Sequence, residues 1–220
     1  MASRTNSPIV PSCELPSVTD ITRLLFDLHC GTDLSTSRIA ESCDQFILHH
    51  TACCIRVSAH IFLWDSPKPR ILLIQRSLCD TKPGYWEVPA GSTERYDQTL
   101  QDALEREIRE ETGLQLCRVT HALTPKTWTR YKEGKPQEWV GLPYIVEISK
   151  PKASELHANS ECVSQPVLKW EDIIRLNPEE HQKFAWATED EVRRDEYETF
   201  GDHKETILEA FAIVTQNCTR

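Results

Sequence analysis

The sequence lacks long apolar runs, and none approaches the roughly 20 residues that a helix needs to span a bilayer. Residues 1–17 contain three prolines and lack the apolar segment of a secretory signal. Basic charge is scarce too, since 25 Lys and Arg stand against 34 Asp and Glu, a formal net charge of −9. That balance argues against a broad nucleic-acid surface, which needs clustered Lys and Arg. We therefore expect no membrane association and no broad nucleic-acid surface.

Metal-binding and redox cysteine motifs are also absent. The chain has nine cysteines, an odd number, and no two of them form a Cys-x-x-Cys pair. Scattered cysteines of this kind are typical of free thiols in a reducing compartment. Together with the missing signal, they predict a cytoplasmic protein.

Apolar periodicity predicts one domain behind a terminal arm. Residues 1–20 are rich in Ser, Thr and Pro and should form a disordered or loosely packed N-terminal arm. Residues 21–220 should form a single domain with an N-terminal helical extension. Within it we predict a polar connection at 150–165, strands at 55–63, 71–75, 114–122, 127–131 and 139–148, and helices at 99–111 and 207–215. Strands mixed with a few helices indicate an α/β or α+β layered domain.

The helix predicted over residues 99–111 combines an apolar stripe with clustered acids. Thr99 is a suitable N-cap and Gly113 a suitable C-terminal cap. At about 100° per residue, Glu107, Glu110 and Glu111 lie within roughly 100° of one another. They overlap an apolar stripe formed by Leu100, Ala103, Leu104 and Ile108. The inward side of this helix therefore begins apolar and ends in three carboxylates.

Such a cluster is costly unless something compensates its charge. The three anions repel one another, burial penalises each of them, and the helix dipole disfavours negative charge in the last turns. Hard cations such as Mg²⁺ or Mn²⁺ prefer oxygen ligands and would relieve these penalties. The simpler alternative is a solvated helix end in which the carboxylates pair with Arg106 and Arg109.

The residues around the acids resemble a known family. Residues 106–114, Arg-Glu-Ile-Arg-Glu-Glu-Thr-Gly-Leu, match the core R-E-U-x-E-E-x-G-U of the Nudix hydrolases, where U is a bulky aliphatic residue. The preceding residues 86–94 are similar to the strand and loop that lead into this helix in the family. Weaker agreement extends from about residue 55 to 192. The resemblance implies a Nudix-type α/β/α sandwich with a mixed β-sheet between helices.

One departure from the family pattern lies ahead of the helix. The pattern places Gly fourteen and Glu eight positions before its arginine, where this chain has Ser92 and Gln98. A one-residue insertion in the loop would align Gly91 and Asp97 with the pattern instead, because loops absorb single residues readily. The peripheral acidic ligand is then Asp97, Glu94 or absent.

The resemblance also implies roles for the acidic cluster. Glu107 and Glu111 would bind Mg²⁺ or Mn²⁺, with Glu110 as a third ligand, and the main-chain carbonyl of Ala90 would contact one metal ion. Arg106 would pair with an acidic neighbour and hold the carboxylates in place. The activity implied is attack of water on a small-molecule diphosphate substrate.

The general base and the substrate-binding residues stay open. The base is either a helix glutamate or Glu180, although an exposed polar loop is the favoured interpretation of residues 179–181. Arg76 could reach a phosphate or simply end its strand in solvent. Four aromatic residues are candidates for stacking a base, with packing in the core as the alternative. They are Trp86, Trp128, Tyr131 and Trp139.

Several substrates and functions fit this motif. The Pro-Ala-Gly loop resembles that of ADP-ribose-type members, whereas the position of Tyr131 resembles dinucleoside-polyphosphate members, and an isoprenoid diphosphate would leave the same motif. A non-hydrolytic isomerase is a second hypothesis, although no dedicated catalytic cysteine is identifiable. A third hypothesis is a binding module that kept the fold but lost hydrolytic activity, and the intact carboxylates argue against it. A homodimer is compatible with each.

Overall fold

A computed structural model describes residues 37–50, 54–63, 68–149 and 169–217 of the chain. The arm predicted at 1–20 and the connection predicted at 150–165 lie outside the described residues. No helix in the described part is long and apolar enough to cross a membrane.

Eight strands and five α-helices follow one another in the described ranges. The strands are β1 (Cys54–Leu63), β2 (Arg70–Arg76), β3 (Trp86–Glu87), β4 (Ala90–Ser92), β5 (Leu116–Ala122), β6 (Lys126–Lys132), β7 (Lys135–Ile148) and β8 (His181–Thr188). The helices are α1 (Cys43–His50), α2 (Leu100–Thr112), α3 (Trp170–Ile173), α4 (Glu189–Arg193) and α5 (His203–Asn217), and a 3₁₀ turn spans Ser37–Ala40.

The strands form one mixed sheet. Its order is β3-β2-β1-β7-β5, with β4 paired to β1, β6 to β7 and β8 to β2. Strand β1 runs parallel to β7, from Cys54 opposite Trp139 to Ile61 opposite Val146. The other pairings between the described strands are antiparallel. The predicted mixed sheet is confirmed.

A hydrophobic core lies on each face of the sheet. Strand β1 alternates, so that Ile55, Val57 and Ala59 pack in one core with α1 and α2. Helices α4 and α5 pack in the second core, where Phe211 contacts Phe62 edge-on with ring centroids 5.1 Å apart. Helices on both faces confirm the predicted α/β/α sandwich.

The predicted ends of helix α2 are also confirmed. The Thr99 hydroxyl accepts a hydrogen bond from the Asp102 amide at 3.1 Å, and the Asp102 carboxylate accepts one from the Thr99 amide at 2.9 Å. Gly113 takes the left-handed conformation, with φ of 70°, and its amide donates to the Arg109 carbonyl. These caps fix the position of the last helical turns, which carry the three glutamates.

Candidate active site

The loop ahead of α2 lies directly against the acidic end of the helix. A β-carbon on Gly91 would stand 2.0 Å from the Glu107 carboxyl group, so only glycine allows this approach. The Ala90 amide donates a hydrogen bond of 2.8 Å to Glu111 Oε2. Because both contacts join the loop to carboxylates one turn apart, they set the register between β4 and the helix.

Arg106 is buried at the centre of one group of carboxylates. Its Nε and Nη2 donate to the two oxygens of Asp97 at 3.0 and 2.8 Å. Its Nη1 donates to Glu107 at 2.7 Å and to Glu110 at 3.2 Å, and Nη2 also donates to the Ser92 carbonyl at 2.9 Å. We call this set the Arg106 network. It contains the acidic partner that the sequence predicted for Arg106.

Charge and burial shift the pKa values of this network. The hydrogen bond from Arg106 to Asp97, followed by its contact with Glu107, raises the pKa of the guanidinium. Burial opposes ionisation of Asp97, but the hydrogen bonds from Arg106 and from the Glu94 main chain lower its pKa on balance. Burial raises the pKa of Glu107, although Arg106 opposes that shift. Arg106 and Asp97 are therefore a firmly charged pair.

The same contacts favour one of the two alignments with the family pattern. Gly91 makes the close approach that requires glycine, and Asp97 supplies the buried acid next to Arg106. Ser92 contributes its carbonyl, and Glu94 is half exposed with its carboxylate 4.0 Å from Arg106. The geometry thus supports a one-residue insertion in the loop.

Glu111 belongs to a second group of buried residues. It is 4% exposed, and no Lys or Arg nitrogen within the described ranges lies at ion-pair distance from it. Burial raises its pKa well above the ordinary range, and the charge of Glu87 adds to the shift. This carboxylate therefore lacks the compensation that Arg106 provides for Glu107.

Glu87 in β3 is the residue at the centre of this second group. It is 1% exposed and pairs with Arg76, while Arg56 Nη2 lies 3.6 Å and His181 Nε2 3.4 Å from its oxygens. Burial opposes its ionisation, but His181, Arg56 and Arg76 outweigh burial and lower its pKa. We call Glu87, Arg56, Arg76, His181 and Glu111 the Glu87 network.

Sequence reasoning missed Glu87, although one signal was available. The residue lies in the segment Trp86-Glu-Val-Pro, where an acid stands alone among apolar side chains. A buried, isolated acid needs a cationic or hydrogen-bonding partner.

The turn before β8 adds Glu180 to the site, next to His181 at the start of β8. One ligand atom each of Glu111, Glu180 and His181 lies within 4.8 Å of the other two. Glu179 and Glu180 are exposed, as the polar-loop interpretation predicted, but that interpretation is wrong for the buried His181. The pairing of β8 with β2 places His181 inside.

An open cleft lies beside the acidic site. Arg56 and Ala90 line it and also belong to the acidic site, and the Arg56 Nη2 donates to the Ala90 carbonyl at 2.8 Å. A carbonyl oxygen has two lone pairs, so the predicted metal ligand Ala90 retains one. The remaining lining residues are Ser58, His60, Val88, Lys126, Trp128, Gly141, Pro143, Asp202, His203 and Thr206.

The structure separates the four residues predicted to bind substrate. Trp128 lines the cleft and stacks on Trp139 with ring centroids 5.9 Å apart. Tyr131 is 76% exposed on the β6–β7 hairpin and does not line the cleft. Trp86 packs edge-on against Tyr197, and Arg76 pairs with Glu87 rather than ending in solvent. Only Trp128 of these four lies in the wall of this cleft.

The acidic residues fit a divalent cation. Glu111 is buried and carries no ion pair with Lys or Arg in the described part of the chain, so a cation would remove its charge penalty. Glu107 lies one turn away, also against the Pro-Ala-Gly loop. Glu110 is 52% exposed and bound to Arg106, which leaves it at the rim. Oxygen donors of this kind suit Mg²⁺ and Mn²⁺.

Comparisons with known proteins agree with this geometry. The family model of the NUDIX domain matches residues 55–210. The 8-oxo-dGDP phosphatase NUDT18 of Danio rerio is 33% identical over 104 residues, which cover 46% of this chain and 30% of that protein. This chain therefore aligns with less than a third of that relative's length.

Solved structures share the fold. An Ap4A hydrolase of C. elegans superposes with a TM-score of 0.50 and 17% identity, over 74% of this chain and 98% of that one. A protein of Listeria monocytogenes described as a NUDIX hydrolase gives a TM-score of 0.52 and 14% identity, over 74% and 95% of the two chains. At such low identity the likeness concerns the fold alone.

Proposed function

The chain belongs to the Nudix hydrolase superfamily, and from this premise we propose that it is a divalent-metal-dependent hydrolase of nucleoside diphosphate derivatives. The observation that carries the proposal is the buried Glu111 carboxylate, which lacks an ion pair with Lys or Arg among the described residues. It adjoins the cleft through Ala90. A buried carboxyl group without a Lys or Arg partner beside an open cleft supports a cation-dependent reaction there.

The lining of the cleft supports a nucleotide over an isoprenoid diphosphate. Arg56 and Lys126 bring positive charge that suits an anionic substrate, and Trp128 offers an aromatic surface. Ser58, His60, Asp202, His203 and Thr206 add polar side chains to this wall beside its apolar residues. An isoprenoid tail would leave these polar groups without partners, whereas a nucleoside can hydrogen-bond to them.

Different residues have different roles in the proposed diphosphate hydrolysis. A bound Mg²⁺ or Mn²⁺ would neutralise charge on the diphosphate oxygens. Arg106 holds Glu107 and Glu110 in place, and Arg56 faces the cleft where it can contact a phosphate. Glu180 is exposed close to Glu111 and is our candidate for accepting the proton of the attacking water.

A substrate panel tests the proposal. The purified chain is incubated with ADP-ribose, a dinucleoside polyphosphate, 8-oxo-dGDP and an isoprenoid diphosphate, each with Mg²⁺, with Mn²⁺ and with a chelator, and products are separated by chromatography. We expect metal-dependent cleavage of at least one nucleotide and none of the isoprenoid compound. Absence of turnover on every nucleotide, with tight metal-free binding of one of them, would identify a binding module instead.

Three finer statements stay predictions. They are the choice between Mg²⁺ and Mn²⁺, the cytoplasmic location and a possible homodimer. The panel addresses the metal, fractionation of cells addresses the location, and light scattering of the purified chain addresses the oligomeric state.

A further inference from the structure

The β6–β7 hairpin forms one wall of the cleft and carries a row of aromatic and basic side chains. Lys126, Trp128 and Arg130 alternate along β6, so their side chains share one face of the hairpin. Trp128 pairs directly with Trp139 on β7, and Lys126 pairs with Gly141. Because Lys126, Trp128 and Gly141 all line the cleft, this face of the hairpin is the one turned toward a bound ligand.

Two neighbours hold the ring of Trp128 in place. Its indole stacks on that of Trp139, with ring centroids 5.9 Å apart and an angle of 16° between the planes. A β-carbon on Gly141 would lie 3.0 Å from Cζ3 of Trp128, so glycine at this position lets the indole lie close to strand β7. Trp128 is half-buried and lines the cleft, so part of its ring remains accessible to a ligand there.

Arg130 restrains this pair of indoles from outside the cleft. Its guanidinium carbon lies 4.9 Å from the centroid of the Trp139 ring, which is the geometry of a cation–π contact. Arg130 is exposed, whereas Trp139 is half-buried. The contacts therefore run from Arg130 to Trp139, from Trp139 to Trp128, and from there to the cleft. A side chain that is already restrained loses less freedom when a ligand binds, which favours binding.

The cleft wall suits a ligand that has both a flat aromatic ring and an anionic group. Stacking of a nucleobase on an aromatic side chain is favourable for every base, and its strength differs between bases. A purine presents a larger ring surface to Trp128 than a pyrimidine does, so stacking favours the purine. Arg56 lies in the same wall and brings the positive charge that phosphate groups need.

We propose that Trp128 selects purine nucleoside diphosphates by stacking on the base, and that Arg130, Trp139 and Gly141 are positioning residues that hold its ring. The inference rests on the proposed function, because it names the substrate class of the same site. It also gives a role to Arg130, an exposed residue that does not line the cleft.

Calorimetric titration of the full chain with non-hydrolysable ligands tests the role of Trp128. The ligands are the α,β-methylene analogues of ADP and CDP, together with methylenediphosphonate, which lacks a nucleoside, each in the presence of Mg²⁺. Wild-type protein should bind the ADP analogue several-fold more tightly than the CDP analogue. Trp128→Ala should weaken binding of the ADP analogue by about fivefold or more and reduce that preference. Its affinity for methylenediphosphonate should stay the same.

Arg130→Met tests the positioning role, because it keeps the aliphatic part of the side chain and removes the cation. We expect the ADP analogue to bind about two- to fivefold more weakly, with unchanged binding of methylenediphosphonate. Arg130→Lys keeps the charge and should restore part of the affinity. Lys132→Met removes a positive charge from the same hairpin and is the matched control, which should bind all three ligands like wild type.

Wild-type protein that binds neither nucleotide analogue, or binds both equally, overturns the purine assignment, as does unchanged affinity of folded Trp128→Ala for the ADP analogue. If that variant does not fold, Gly141→Ala decides. Its new methyl group requires the Trp128 ring to shift by a few tenths of an ångström, and unchanged affinity for the ADP analogue would overturn the assignment.

The positioning role of Arg130 is overturned if Arg130→Met weakens binding of the ADP analogue and of methylenediphosphonate equally, because that pattern indicates an effect of charge alone. The failure of this inference is distinguishable from the failure of the proposed function. Purine-selective binding without hydrolysis of any diphosphate would refute the proposed function and leave the role of Trp128 standing. Hydrolysis without a purine preference in binding would do the reverse.

Discussion

Glu107 and Glu111 lie one turn apart on the same helix and meet opposite electrostatic surroundings. Glu107 is bound to Arg106 at 2.7 Å, whereas Glu111 accepts a hydrogen bond from the Ala90 amide and has no ion pair with Lys or Arg in the described ranges. Burial raises the pKa of both, but it raises that of Glu111 far more. In the Arg106 network, the buried acids Asp97 and Glu107 are paired with Arg106. In the Glu87 network, Glu111 has no such partner and is repelled by the charge of Glu87.

This difference separates the roles of the two networks. A buried network whose charges are paired stabilises a single geometry, because removing one partner leaves the other charge buried and unpaired. An unmatched buried acid destabilises the empty protein and becomes favourable only when a cation binds. We therefore expect stability to depend mainly on the Arg106 network and metal-dependent activity mainly on Glu111.

The largest expected effect is loss of stability on removing Arg106. Arg106→Ala leaves Asp97 and Glu107 buried without their counter-charge, which should lower the free energy of unfolding by about 3–5 kcal/mol. Urea denaturation of the metal-free protein measures it. Arg109→Ala, exposed on the same helix, is the matched control and should change little. A loss below about 1 kcal/mol for Arg106→Ala is the scale of a surface ion pair. Such a result would contradict the proposed difference between the Arg106 and Glu87 networks.

The next effect is loss of turnover without loss of fold in Glu111→Gln. The amide keeps the size of the side chain and removes the charge that a cation needs, so metal-dependent turnover should fall by about a hundredfold or more, equivalent to about 3 kcal/mol. Circular dichroism should stay unchanged. Glu105→Gln, exposed on the same helix, should retain wild-type rates. Wild-type rates in Glu111→Gln would refute the assignment of this acid.

Local sequence patterns predicted that Arg106 pairs with an acidic neighbour, and they left Asp97 and Glu94 as alternatives for the acid ahead of the helix. The caps at Thr99 and Gly113 and the periodicity of α2 depend on residues within a few positions of one another. Arg106 and its partners also lie within a short stretch of chain, from Ser92 to Glu110. For this half of the site, helical geometry and one family motif predict most of the contacts.

The Glu87 network was not predictable in the same way. It brings together Arg56, Arg76, Glu87 and His181 from strands β1, β2, β3 and β8. Which of these side chains meet depends on the register of four strands, including a shift between Gln75 and Arg76. A one-residue change in register would turn each side chain to the other face. The same dependence explains why Trp128 lines the cleft and Trp86 does not.

Gly91→Ala should disturb Glu107 and spare the Glu87 network. The new β-carbon would lie 2.0 Å from the Glu107 carboxyl group, so that group must move away from Arg106. We expect a loss of about 1–3 kcal/mol in the free energy of unfolding, as for other overpacked sites, together with weaker Mn²⁺ binding. Denaturation and calorimetry measure the two quantities. Ser92→Ala adds no atoms next to Glu107 and is the control. Unchanged stability and unchanged metal affinity in Gly91→Ala would show that the close approach is unimportant.

The smallest effect concerns His60, on the cleft side of β1. Burial, aided by the charge of the nearby His203, lowers its pKa from 6.5 to about 3. Between these values the unfolded chain binds a proton that the folded protein does not bind. Stability should therefore fall as pH falls, by up to about 1.4 kcal/mol per pH unit from this residue.

Urea denaturation of wild-type protein and His60→Leu at intervals from pH 7.5 to pH 4.5 tests this expectation. The variant should show a shallower loss of stability toward acid, and the slope that remains should come in part from His203, whose pKa burial also lowers. His121→Leu, on strand β5, serves as the comparison for the loss of one histidine. Identical slopes in His60→Leu and wild type would mean that His60 takes up its proton in the folded protein. The cleft wall would then carry a positive charge in weak acid. His60, like Glu111, would then differ from the Arg106 network, in which the buried charges are paired.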